Sequence, residues 1–143
     1  MTTTTYTFGR RMHGTPAEVR PIVDAALKAE GFGVITEIDV AAVMKARLGL
    51  DHPPYLILGA CNPVLAHRAI EVDPSVGALL PCNVVLRAEG TETVIEAIDP
   101  MSAMGIADSA RLSGIAREAR ARLARAIAHL RRNPVLDTQH VVV

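Results

Sequence analysis

A chain of 143 residues can bury a core of its own, roughly 68–70% of its unfolded surface at this size, so no disulfide or metal is needed to hold it together. Half of the residues are hydrophobic, but only 3% are aromatic and Trp is absent, so the core must be built from Ala, Val, Leu, Ile and Met. Fifteen basic residues balance fifteen acidic ones, which argues against a general attraction to nucleic acid or to an anionic membrane, and no apolar run approaches the ~20 residues of a membrane span.

The threonine run at the N-terminus contains no basic region leading into an apolar one, so no signal peptide is expected. Two cysteines in such a chain read as reduced thiols, and the expected compartment is the cytoplasm. Residues 5–12 predict a first strand. Thr15-Pro16-Ala17-Glu18 is a capping box with Pro at the first helical position, followed by Val19, Ile22, Val23, Ala26 and Leu27 at helical spacing and a stop at Glu30-Gly31. Residues 32–38 predict a second strand. Asp39 then caps a short helix carrying Val40, Val43, Met44 and Leu48, and residues 49–54 are a loop.

Residues 55–61 are continuously apolar, as expected of a central strand buried on both faces. Asn62-Pro63 restarts a helix that runs to about Val72, where Asp73-Pro74-Ser75 breaks it. Residues 82–89 and 92–98 form a hairpin around Gly90-Thr91, closed by Asp99-Pro100. The last helix is expected over roughly 109–132. Leu112, Ile115, Ala116, Ala119, Leu123, Ile127 and Leu130 fall on one face, and arginines from Arg111 to Arg132 occupy the rest. Asn133-Pro134 stops it, and Val141–Val143 reads as an edge strand or a loose end.

The order β-α-β-α-β-α-β-β-α predicts a single compact α+β domain, one layer of helices on one mixed sheet. Within it, residues 1–14 are a tail and first strand, 15–108 the core, and 109–143 the arginine-rich helix and tail. The doubly apolar strand at 55–61 requires a cover on its second face, either the last helix or a partner subunit.

Cys61-Asn62-Pro63 is the most informative stretch. It sets a thiol at a strand's end, just before a helix N-terminus, where free N–H groups and the helix dipole favour a thiolate. The plainer reading is a buried structural thiol with Asn-Pro as a cap. Leu80-Pro81-Cys82-Asn83 is a second cluster, readable also as a simple strand entry. If the strands ending at Cys61 and starting at Cys82 are parallel, the thiols lie at opposite ends of the sheet; if antiparallel, both can lie at one end. Met101 and Met104, after Pro100, could join Cys61 as soft ligands for a Cu(I)-like ion, or simply fill gaps in an aromatic-poor core. The histidines are scattered, no catalytic or nucleotide-binding motif appears, and the arginine face reads first as solvated surface.

The stretch from Thr15 to Met101 resembles the family of domain of unknown function 302 (DUF302). The resemblance rests on Glu30-Gly31-Phe32, Glu37-Ile38-Asp39-Val40, the run from Tyr55 to Pro63, and Gly77 to Val84 with its Leu-Pro-Cys element. It implies a compact α+β fold in mostly bacterial or archaeal proteins, commonly seen as a homodimer, with no settled activity. The family's motif positions here are Cys61, Asn62, Pro63, Pro81, Cys82 and Pro100.

Two functions compete. One is a non-enzymatic module holding a small molecule or soft metal ion at the Cys-Asn-Pro end, as a homodimer and with no cofactor required. The other is a thiol-dependent enzyme or redox protein using Cys61, against which stands the lack of an adjacent base or a closely spaced resolving cysteine. A pure interaction scaffold is the third reading.

Overall fold

The computed structural model describes residues 2–130. Thr15 forms the capping box expected of it: its hydroxyl accepts from the Glu18 amide at 3.2 Å, and the Glu18 carboxylate accepts from the Thr15 amide at 3.0 Å. The chain runs β1 (Thr2–Thr3), β2 (Thr7–His13), α1 (Pro16–Ala29), β3 (Gly33–Asp39), α2 (Val40–Leu48), β4 (Tyr55–Cys61) and α3 (Pro63–Val72). After a 3-10 turn at Pro74–Leu79 come β5 (Cys82–Glu89), β6 (Glu92–Ile98), the short helix α4 (Pro100–Met104), a 3-10 turn at Gly105–Ala107 and α5 (Ala110–Ala128). This is an α+β fold, and the order of its principal elements is the predicted one.

The strands form one sheet in the order β1-β2-β6-β5-β4-β3. Contrary to the expectation of a mixed sheet, every pairing among the described residues is antiparallel. Phe8, Ala97, Val84 and Leu58 stand in one row across β2, β6, β5 and β4, and all are buried. Val19, Val23 and Leu27 of α1 and Leu123 and Ile127 of α5 pack onto that face in one core. Full burial of each such side chain contributes about 2 kcal/mol. A second core, Ala69, Val76, Met104, Leu112 and Ala116, fills the space where α3, α4 and the start of α5 meet.

Helix α5 therefore shares a face with α1 and does not cover the other one. That second face protects itself. Val94 stands in register between Arg11 and Arg87 and is only 1% exposed, because long arginine side chains lay their aliphatic stems over such neighbours. Their guanidinium groups pair with Glu89 and Glu96 at 2.7 and 3.0 Å. On β4 itself that face is only partly covered: Tyr55 and Ile57 are half-buried, and the Thr36 and Pro81 side chains close over Gly59.

Other boundaries shift. The first long strand starts at Thr7, because Thr4 holds a turn through its hydroxyl, which accepts from the Thr7 amide. The β5–β6 hairpin lies inside the sheet and supplies no edge. Leu112, Ala116, Ala119, Leu123 and Ile127 of the predicted stripe are buried, and α5 ends at Ala128. Arg131, Arg132, the Asn133-Pro134 stop and the terminal valines lie outside the described residues. Among the described residues no helix is long and apolar enough to cross a membrane.

Candidate functional site

Strand β4 passes directly into α3 through Asn62, whose side-chain oxygen accepts from the Leu65 amide at 3.2 Å. Pro63 is the first residue of α3, where its missing N–H costs nothing. Because β4 and β5 are antiparallel, with Ala60 opposite Cys82, the end of one and the start of the other lie side by side. Both thiols therefore occupy the same end of the sheet.

They line one small cavity together with Asn62, Pro81, Met104 and Phe32. Its free volume is ≈ 20 Å³, space for about one water. The remaining wall is aliphatic, from Leu65, Ile115 and Ala119 among others, and no imidazole, carboxylate or ammonium lines it. Pro81, which follows a cis peptide bond, approaches β4 closely. A Cβ on Gly59 would lie 2.8 Å from the Pro81 ring and 2.0 Å from the Thr36 hydroxyl, so only glycine fits beneath them.

Burial pushes the Cys82 thiol up to about 11, with a smaller contribution from the neighbouring Cys61, so Cys82 is a neutral thiol near pH 7. Cys61 is half-buried. Asn62 is 6% exposed, and its amide nitrogen donates to no group among the described residues. That nitrogen stands 2.9 Å from where a Cβ on Gly31 would be, at a backbone φ of 85° that already favours glycine.

The structure thus brings Cys61, Asn62, Pro81, Cys82 and Met104 to one place. Pro63 borders a neighbouring shallow depression with Phe32, Gly33 and Val34. Pro100 is buried as the first residue of α4, after the Asp99 cap. Met101 packs beside Met104 in the second core but does not reach the cavity. Phe32 was not foreseen as a wall of the site; its only signal was its position after the Glu30-Gly31 stop. Among the described residues no group of three or more His, Cys, Asp or Glu could hold a metal ion. The arginine face of α5 is largely neutralised in place, with Arg120 on Asp99, Arg122 on Glu118 and Arg125 on Glu30.

The family model for domain of unknown function DUF302 matches residues 8–130. A solved structure described as the crystal structure of an uncharacterized conserved protein DUF302 from Bacillus stearothermophilus is similar, with a TM-score of 0.82 and 29% identity. The match covers 90% of this chain and 100% of that one. No curated protein matches.

Proposed function

The chain belongs to the DUF302 family, to which no function is assigned, and from that premise we propose that it is a non-catalytic binding module whose cavity takes a soft monovalent cation of the Cu(I) type. The observation that carries this reading is the gathering of two thiols and a thioether, from Cys61, Cys82 and Met104, around one apolar space of atomic size. Sulfur donors in a dry, uncharged wall suit soft ions, while oxygen-seeking divalent ions would find no carboxylate there. The same wall lacks a base to activate Cys61 as a nucleophile, which weighs against the thiol-enzyme reading.

Binding would displace the Cys82 proton, so uptake is accompanied by proton release. Anaerobic titration with Cu(I) buffered by a competing chelator tests this. One ion per chain is expected, with binding at least tenfold weaker in both Cys61→Ser and Cys82→Ser. A wild-type protein that competes no better than the double serine variant would overturn the reading.

A further inference from the structure

Asn62 carries a donor that the fold buries and leaves unused. Its side-chain oxygen caps α3 at the Leu65 amide, which fixes the orientation of the group and turns the nitrogen the other way. Asn62 is 6% exposed, and its NH2 meets no acceptor among the described residues. A buried donor of this kind is costly unless a bound atom meets it. The nitrogen points at Gly31, 2.9 Å from where a Cβ would stand. Chain neighbours of Gly31 aside, the next residue to reach that point is Arg122, whose Nη1 lies 3.5 Å away. The other terminal nitrogen of Arg122 donates to Glu118 at 2.9 Å, so Nη1 is the part of its fork left over among the described residues. Two donors, one from the cap of α3 and one from α5, thus converge on the space above a glycine.

The surroundings favour an anion there. Helix α3 opens beside this point, and its ten residues set partial positive charge at the first turn. The end of α1 would oppose it, but the amides of Glu30, Gly31 and Phe32 turn back onto the Leu27 and Lys28 carbonyls and satisfy them. From Gly31 an open depression continues over Phe32, Val34 and Pro63, with Arg20 and Lys28 on its rim. The charges around it nearly cancel. Arg20 pairs with Asp24 and Glu37, Arg125 with Glu30, and Arg122 shares Glu118 with Arg68. Lys28 enters none of these pairs, and with it an excess of one positive charge is left. A monoanion matches that excess. A dianion exceeds it and meets the repulsion of Asp24, Glu30 and Glu118.

We infer that this depression binds a small organic monocarboxylate, one oxygen accepting from the Asn62 amide and the other from Arg122, with its short apolar body over Phe32, Val34 and Pro63. A carboxylate presents two acceptor oxygens in one plane, so it can bridge donors that arrive from separate elements, and the bond from a guanidinium is charge-assisted. Glycine at position 31 leaves the room this needs, since a Cβ there would crowd both donors. The site uses neither thiol and stands whether or not the cavity takes an ion.

Titration of the full, metal-free chain with butyrate, followed by heteronuclear NMR, tests it. The Asn62 side-chain amide and the Gly31 backbone amide should shift together and saturate, at a concentration on the order of millimolar for so small a ligand. Asn62→Asp keeps the cap oxygen and the shape but turns the donor into an acceptor, and should abolish the shifts. Arg122→Gln should weaken binding about tenfold. Arg117→Gln, an equal loss of charge at an exposed position of the same helix, should leave it unchanged. Arg122 is partly exposed, so its variant keeps the fold and decides the matter even where Asn62→Asp does not fold. Shifts that never saturate, equal weakening by both arginine variants, or tighter binding of inorganic phosphate than of butyrate would each overturn the inference.

Discussion

Helices α1 and α2 begin alike and end in opposite situations. Each opens on a side-chain cap, Thr15 for one and Asp39 for the other, and each carries apolar residues at helical spacing. Helix α1 buries Pro16, Val19, Val23 and Leu27 against the sheet, whereas α2 buries nothing. The caps decide where a helix starts. What the apolar stripe does depends on whether the chain supplies a surface for it, and α2 meets only a partial one, which leaves Val40, Ala41 and Met44 half-buried.

The sharpest test of this contrast is a pair of matched truncations. Leu27→Ala should destabilise the fold by about 3 kcal/mol, since Leu27 is 1% exposed inside the main core. Leu48→Ala, at a residue 62% exposed, should change the unfolding free energy of dilute protein by less than about 0.5 kcal/mol. Urea melts of both variants read the difference; equal losses would show that α2 is packed after all.

The packed side also predicts a pH dependence that the exposed arm cannot have. The Cys82 thiol titrates near 11 in the fold against an ordinary 9.0, so the unfolded chain loses its proton first. Its contribution is complete below pH 9 and disappears as pH rises through 11, a loss of roughly 3 kcal/mol. The difference between wild type and Cys82→Ala isolates it from other alkaline titrations: the wild type should lose more stability over that interval, and parallel curves would place Cys82 in water.

The smallest expected effect lies at the junction of strand and helix. Asn62→Ala should cost about 1 kcal/mol in thermal or denaturant melts, because the Leu65 amide then has no acceptor. A neutral result would mean that water replaces the cap, which the burial of Asn62 opposes.

Much of this architecture was legible in advance where the signal is local. The Thr15 capping box, the Asn62-Pro63 restart and both strands of the hairpin around Gly90 stand where the residues put them. Strand direction was not legible. The run from Tyr55 to Cys61 reads as a doubly buried strand, and nothing local reveals that Tyr55, Ile57 and Cys61 stay half-buried. The nearness of Cys61 and Cys82 hung on that same direction, so the sequence left two arrangements open. Met104 rather than Met101 reaches the cavity because of the phase of a five-residue helix, which no composition fixes.

The place of β2 in the sheet also orders the assembly of the chain in time. β4, β5 and β6 are neighbours both in sequence and in space, and β5 with β6 needs only a tight turn to pair. β2 must instead find β6 across a closure such as that joining Thr7 to Glu96, 89 residues apart. Closing so long a loop before its contacts form is entropically costly, so the hairpin and its β4 neighbour make the surface on which β2 later docks. The first long strand to leave the ribosome is thus among the last to be paired. Phe8 and Met12 stay exposed to solvent, or to a chaperone, until almost the whole sheet has been synthesised.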